Sequence, residues 1–157
     1  MKIKIRKGKK KDVDAMMKLI QELATFERAP EEVINTISAM KKNGFGKKPI
    51  FKSFVAENKK KEIIGIAIFY IGYSTWKGKI IYLDDLIVTE AERKNGIGKM
   101  LFDEIVRFAK KESANQLRWH VLDWNVNAIN FYKKYSATLD PTWITGKLSS
   151  EQIQNFK

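Results

Sequence analysis

A short glycine-rich stretch, Arg93 to Gly98, has the residue types that most directly suggest chemistry. It reads Arg-Lys-Asn-Gly-Ile-Gly, follows an apolar run ending at Val88, and precedes a helical pattern starting at Lys99. A strand, a glycine turn and a helix in this order aim backbone N–H groups and a positive helix end at one point, which suits a phosphate. The stretch lacks the spacing of nucleotide triphosphate and dinucleotide loops. It therefore predicts another phosphate-containing ligand, with a plain tight turn as the alternative.

The composition excludes several other kinds of site. The 157 residues include no cysteine, so there is no disulfide framework, no thiol nucleophile and no cysteine-based metal site. His120 is the single histidine and cannot form a histidine-rich cluster, so we predict no metal. No apolar run approaches the roughly 20 residues of a membrane span, and the N-terminal residues show no signal-peptide pattern. We therefore expect a cytoplasmic protein with no membrane partner.

The net charge of +12 raises the question of an anionic partner. Basic chains attract nucleic acid, membranes or anionic ligands. Here the lysines are scattered in short groups over predicted loops and helix ends, whereas a nucleic-acid-binding module needs lysines and aromatics on one face. We interpret them as a solvated surface that is compatible with recruiting an anionic cofactor. Nucleic acid is the alternative partner, not the expected one.

Hydrophobic periodicity predicts one α/β domain over residues 1–157, with a mixed, mostly antiparallel sheet and helices on both faces. Short turns between the second, third and fourth strands predict an antiparallel meander, and the helix before the fifth predicts a parallel pair. Residues 149–152 fit a capping box for a C-terminal helical turn. The predicted strands are 3–6, 51–57, 62–73, 80–88, 116–122 and 143–148, and the predicted helices are 13–27, 30–42, 97–109 and 127–135.

In this setting Arg-x-x-Gly-x-Gly resembles the pyrophosphate-binding motif of the GNAT superfamily of acetyl-CoA-dependent N-acetyltransferases, and the element order is that expected of the GNAT fold. Further segments resemble, in order and spacing, the diamine acetyltransferase branch, which includes spermidine/spermine and thialysine acetyltransferases. The resemblance covers nearly the whole chain. The segments are Glu22–Glu27, Asn43–Gly46, Trp76–Lys79, Tyr82–Asp85, Trp124-Asn125 and Asn130–Lys134.

The resemblance implies acetyl-CoA as cosubstrate, a small-molecule primary amine as acceptor, and a homodimer in which Trp76 or Trp143 could serve the interface. Backbone groups at the end of the central strand would bind the pantetheine arm, and an N–H there would polarise the thioester carbonyl. The glycine turn would wrap the pyrophosphate. The cofactor-binding residues it implies are Leu86, Ile87, Val88, Arg93, Lys94, Asn95, Gly96, Ile97, Gly98, Lys99, Asn125, Asn127 and Ala128.

The same resemblance implies two catalytic residues. Tyr132 would be the general acid for the leaving thiolate, and an aromatic packed in the core is the alternative reading. Asp84 stands where related enzymes have Glu. It would help an amine of pKa near 10.4 lose its proton, directly or through a water. Strand alternation sends Asp84 and Asp85 to opposite faces of the sheet.

The acceptor pocket implied by the resemblance is acidic and aromatic. Glu27 could instead be a surface charge, and His120 a structural or wall residue. Ser136 replaces a glycine after the last predicted helix, so the geometry there is expected to be strained or different. Two other functions stay open: a protein-lysine acetyltransferase and a non-catalytic acyl-CoA sensor. The predicted acceptor residues are Phe26, Glu27, Asp84, Trp119 and His120.

Overall fold

A computed structural model describes residues 3–156 and divides the chain into two compact units that meet in sequence between Trp119 and His120. The first unit contains one five-stranded sheet. Its elements are β1 (Lys4–Lys7), α1 (Val13–Phe26), α2 (Ile37–Phe45), β2 (Lys52–Glu57), β3 (Ile63–Ser74), β4 (Gly78–Val88), α3 (Ile97–Lys111) and β5 (Gln116–Arg118), with short 3-10 turns at Lys10–Asp12, Pro30–Glu32 and Glu90–Glu92.

The strands lie in the sheet in chain order, from β1 to β5. The pairs β1–β2, β2–β3 and β3–β4 are antiparallel, and β4–β5 is parallel. The predicted meander and the predicted parallel crossover are therefore both confirmed. The mixed α/β architecture is also confirmed.

Helices cover both faces of this sheet. On one face α1 buries Val13 and Met16 in a cluster that includes Ile68 of β3. On the other face Phe108 of α3 packs edge-on against Phe69, with ring centroids 4.8 Å apart. Because Ile68 and Phe69 are consecutive residues of one strand, their side chains point to opposite faces. The two helices therefore make separate cores on the two sides of the sheet.

Two boundaries in the first unit correct the sequence prediction. The second helix was predicted from Pro30, but a 3-10 turn ends at Glu32 and α2 begins only at Ile37. Thr36 supplies the reason, because its hydroxyl accepts a hydrogen bond from the Ala39 N–H and caps the helix. The strand predicted to reach residue 122 ends at 118, where its pairing with β4 also ends.

The second unit contains α4 (Val126–Lys133) and a short C-terminal helix, α5 (Ser150–Gln154). The predicted capping box is confirmed, since Ser149 and Gln152 exchange side-chain and backbone hydrogen bonds. The strand predicted at 143–148 is wrong, because residues 138–149 form no strand. Trp143 and Ile144 are exposed there, and a strand needs a hydrogen-bonded neighbour that this unit does not supply over the residues described.

Candidate active site

The glycine turn leading into α3 is shaped by two residues in the left-handed backbone region. Gly96 has φ 78° and precedes the first helical residue, and Lys94 has φ 64°. A Cβ at Gly98 would meet only Val88 Cγ2, at 3.8 Å, so internal packing does not require glycine there. Lacking a side chain, Gly98 leaves the first N–H groups of α3 open to close approach, and these have no intrahelical acceptor. This geometry fits a phosphate-bearing ligand.

The end of β4 offers backbone groups beside that turn. The pairing of β4 with β5 covers only three residue pairs, from Ile80–Gln116 to Tyr82–Arg118. The pairing of β4 with β3 continues to Val88. Residues 83–88 therefore extend beyond their parallel neighbour, and they include the strand end where the resemblance implies that backbone groups bind the pantetheine arm. Ile87 is buried in the core, so only its backbone can serve a ligand.

The Arg93 side chain, predicted to help bind the cofactor, makes contacts within the protein. Its Nε donates a hydrogen bond to the carbonyl oxygen of Val88, at 3.0 Å. Its guanidinium carbon lies 5.1 Å from the centre of the Phe26 ring, on α1. The Arg93 side chain therefore lies between the end of β4 and the end of α1. A groove of about 480 Å³ lies beside it, lined by Lys18, Gln21, Glu22, Thr25, Phe26, Glu90 and Arg93.

Asp84 occupies a β-bulge, which the sequence did not reveal. Ile68 pairs with Asp85, but Phe69 pairs with Leu83, so Asp84 is the extra residue on β4. This breaks the alternation behind the expectation that Asp84 and Asp85 face opposite ways. Asp85 lies opposite Ile68 and therefore on the face covered by α1.

The carboxylates around this bulge influence one another. Burial, with repulsion from Asp84 and Glu27, raises the pKa of Asp85 to about 7. Glu27 follows the last residue of α1 and is exposed at the surface. Nearby atoms still desolvate its carboxylate enough to raise its pKa. Close carboxylates that resist ionisation attract a cation, which would relieve their repulsion.

Two tyrosines that the sequence did not point to as site residues lie near enough to Asp84 to feel its charge. Tyr70 and Tyr82 are cross-strand partners whose rings stack with centroids 5.0 Å apart. Burial raises the pKa of both phenols, and the charge of Asp84 raises it further. Tyr82 belongs to a segment carrying the family resemblance, but Tyr70 had no signal, because its position depends on strand register. Glu27, Asp84, Asp85, Tyr70 and Tyr82 are called the acidic cluster below.

The other two predicted acceptor residues, Trp119 and His120, lie at the boundary in sequence between the two units. The Trp119 ring packs edge-on against Phe102 of α3, with centroids 5.4 Å apart. This contact is with the helix that covers the face opposite α1, and the role of Trp119 in the acceptor site stays a prediction. His120 is an exposed residue at the start of the second unit, and its role remains a prediction.

The second unit contains the proposed acid. Tyr132 is buried on α4, and burial raises the pKa of its phenol to about 12. Asn125 caps this helix, because its side-chain oxygen accepts a hydrogen bond from the Ala128 N–H at 3.2 Å. Asn127 lies exposed in the first turn. The cofactor contacts predicted for these residues stay predictions.

Over residues 3–156, no helix is long and apolar enough to cross a membrane. In the same range, no group of three or more histidine, cysteine, aspartate or glutamate side chains is placed to hold a metal ion.

Comparison with known proteins defines the class. The model of the acetyltransferase (GNAT) family matches residues 13–136. Thialysine N-epsilon-acetyltransferase of Mus musculus is 32% identical over 163 residues, covering 98% of this chain and 96% of that protein. Spermidine/spermine N(1)-acetyltransferase-like protein 1 of Homo sapiens is 30% identical over 139 residues, covering 85% of this chain but 20% of that protein.

A solved structure shows the same fold. The aminoglycoside acetyltransferase from an uncultured soil metagenomic sample, in complex with trehalose, superimposes with a TM-score of 0.76 at 19% identity, covering 94% of this chain and 95% of that one. The family match and the extent of the similarity to the mouse protein are decisive. The chain belongs to the GNAT acetyltransferase family and is an acyltransferase.

Proposed function

We propose that this protein transfers the acetyl group of acetyl-CoA to a primary amine of a lysine-like or polyamine-like small molecule. The observation that carries the acceptor class is the acidic cluster. Its three carboxylates would hold a cationic amine, and the faces of Tyr70 and Tyr82 would add cation–π attraction. Asp85 lies three residues before Val88 on the same strand, so the cluster lies close to the proposed thioester-binding edge.

The proposed donor site is built from backbone. The backbone of Leu86, Ile87 and Val88 would hydrogen-bond the pantetheine arm, and residues 94–99 would surround the pyrophosphate with N–H groups. The match to the family crosses the boundary between the two units. That supports treating residues 1–157 as one functional domain, with Asn125, Asn127 and Ala128 contributing to the same cofactor.

The reaction we propose has no covalent enzyme intermediate. The amine gives a proton to the carboxylates of Asp84 and Asp85, directly or through a water, and its nitrogen then attacks the thioester carbonyl carbon. Asp85 is the better matched of the two, because a pKa of about 7 allows it to accept a proton near neutral pH. The carbon–sulfur bond breaks, and its electron pair leaves on sulfur. The nitrogen then loses its second proton to water, which balances the proton that Tyr132 supplies to the sulfur and later regains from water.

Tyr132 would give its phenolic proton to that sulfur. Burial raises its pKa to about 12, which keeps the phenol protonated before the thiolate forms. The thiol reference pKa is about 8.5, so the transfer is uphill unless the developing thiolate is itself destabilised by burial. We therefore expect Tyr132→Phe to lower turnover while leaving acetyl-CoA affinity nearly unchanged.

We also propose a homodimer. Trp76, at the β3–β4 turn, is 83% exposed, and Trp143 in the second unit is 74% exposed. Large exposed aromatics are candidates for an interface. Sedimentation of the intact protein would test this proposal, and a monomer at micromolar concentration would contradict it.

The direct test is release of CoA from acetyl-CoA, followed with a thiol reagent. The chain has no cysteine, so the reagent would report only CoA. The acceptor panel comprises thialysine, lysine, spermidine, spermine, short diamines and aminoglycosides, and a thialysine already acetylated on its side-chain amine is the matched control. Turnover with a free amine and none with the blocked one is expected. Turnover only on lysine-containing peptides would overturn the small-molecule acceptor, and acetyl-CoA binding without turnover would favour a sensor.

A further inference from the structure

The Glu22 side chain on α1 accepts two hydrogen bonds from the connection between β4 and α3. One carboxylate oxygen accepts a hydrogen bond from the Thr89 hydroxyl at 2.9 Å, and the other accepts one from the Glu90 backbone N–H at 2.6 Å. These residues are about 67 positions apart in the chain. Glu22 thus connects the helix that ends at Phe26 to the segment that leads into the glycine turn.

Arg93 completes this connection from the other side. Its Nε bonds the Val88 carbonyl at 3.0 Å, and a terminal nitrogen lies 3.8 Å from the Glu22 carboxylate. Its guanidinium carbon lies over the Phe26 ring of α1, 5.1 Å from the ring centre. The guanidinium therefore contacts a carbonyl, a carboxylate and an aromatic ring at once. We call these contacts the α1 clasp. They involve Glu22, Phe26, Val88, Thr89, the backbone of Glu90, and Arg93.

We propose that Glu22 and Arg93 are positioning residues for acetyl-CoA, which hold the β4–α3 connection in its binding shape, and that the Arg93 side chain is not a direct phosphate ligand. This inference rests on the proposed function. Binding is weakened when a loop must be ordered at the moment of binding, so a connection already fixed to α1 retains affinity. Phe26 is next to Glu27, a predicted residue of the amine-binding pocket. The clasp therefore also connects that pocket to the glycine turn.

The direction in which Glu22→Ala changes acetyl-CoA affinity distinguishes a positioning role from a purely electrostatic one. If Arg93 bound phosphate directly, Glu22 would be a nearby negative charge opposing an anionic cofactor, and Glu22→Ala would tighten acetyl-CoA binding. If the clasp positions the turn, Glu22→Ala removes two hydrogen bonds from the connection. Acetyl-CoA should then bind about three- to tenfold more weakly. Its KM should rise accordingly while kcat stays within about twofold.

Two further variants act as matched controls. Glu22→Gln keeps one oxygen to accept from the Glu90 N–H and an amide that donates to Thr89, so it should recover most of the lost affinity. Glu90→Gln removes an equal charge beside the same connection but leaves the Glu90 backbone N–H in place. The clasp predicts that Glu90→Gln does not weaken binding, whereas Glu22→Ala does. Long-range charge alone predicts that both tighten it.

A double-substitution cycle tests Arg93 itself. In the clasp, Glu22→Ala and Arg93→Ala disturb the same contacts, so their free-energy effects on acetyl-CoA binding should not add. Additive effects would assign Arg93 an independent contact with the cofactor and overturn the proposal. Calorimetry on the intact protein supplies the affinities, and circular dichroism confirms that each variant is folded.

The wild-type measurement separates this proposal from the proposed function. If the wild-type protein did not bind acetyl-CoA, the proposed function itself would fail. If the wild type bound acetyl-CoA and Glu22→Ala bound it equally well or more tightly, only the clasp would fail.

Discussion

The glycine turn and the acidic cluster are built in opposite ways. The turn depends on backbone conformation, with Gly96 and Lys94 at positive φ and a Gly98 that packing does not require. The cluster depends on side chains brought together by strand register and a bulge at Asp84. A backbone-built site leaves a recognisable spacing in the sequence, and a side-chain-built site does not. The first should therefore respond to changes in shape, and the second to changes in charge.

Removing the charge of Asp85 should have the largest effect. We expect Asp85→Asn to reduce kcat/KM for the amine by about 10²- to 10³-fold, the range of a lost general base. The wild-type pH–rate profile should rise through a limb near pH 7, set by the raised pKa of Asp85. That limb should be absent in the variant.

Asp84→Asn is the matched control for that experiment. Repulsion from Asp84 contributes to the raised pKa of Asp85, so removing this charge should move the limb to lower pH without abolishing it. If Asp84→Asn abolished the limb and Asp85→Asn only moved it, Asp84 would be the titrating base, and the assignment favoured by the bulge geometry would be wrong.

The same carboxylate should reduce the stability of the fold. A carboxyl whose pKa rises from about 3.9 in the unfolded chain to about 7 in the native state binds its proton more tightly when folded. The free energy of unfolding therefore decreases as pH rises from about 4 to about 7, and then levels off. Above pH 7, Asp85→Asn should stabilise the protein by on the order of 4 kcal/mol. Urea unfolding at pH 4 and pH 8 checks this, and an equal gain at both pH values would exclude the titration of Asp85 as its cause.

A change of shape at the glycine turn should instead weaken cofactor binding and leave stability almost unchanged. We expect Gly98→Val to weaken acetyl-CoA binding about 30-fold, a loss of about 2 kcal/mol. The added side chain would occupy the approach to the helix N–H groups, where a Cβ meets only Val88 at 3.8 Å. Stability should change by less than about 1 kcal/mol, because glycine is itself unfavourable in a helix. Calorimetric affinity and thermal unfolding measure the two quantities. Unchanged affinity would show that the turn is not the cofactor site.

The contrast also explains what could be predicted from the sequence. The boundaries of α1, the glycine turn and the parallel β4–β5 pair follow from local periodicity and connection rules. The bulge at Asp84 could not be predicted, because it is a mismatch between two strands that no single strand displays. The contacts of the Arg93 side chain could not be predicted for a similar reason. The motif suggests only that the positive charge serves a ligand, whereas the contacts with Phe26 and Val88 depend on the tertiary structure.

The strand wrongly predicted at 143–148 shows what the pattern of residue types cannot predict. Apolar and β-branched residues favour a strand, but a strand also requires a neighbour that local sequence does not reveal. The sequence was more informative after α4, where Ser136 replaces a glycine and a strained or different backbone geometry was predicted. Ser136 has φ 55°, so the backbone adopts the left-handed conformation although the glycine expected there is missing.

Ser136 gives the smallest test, and it asks whether backbone shape also governs the second unit. Ser136→Gly should raise the free energy of unfolding by about 0.5–1 kcal/mol, because a non-glycine residue is strained in the left-handed region. Ser149→Gly is the matched control. Ser149 has φ −67° and its hydroxyl accepts a hydrogen bond from the Gln152 N–H, so the same substitution should cost a few tenths of a kcal/mol. Urea unfolding measures both. Equal signs would mean that the left-handed geometry at Ser136 carries no strain, and that backbone shape exerts its control only at the glycine turn.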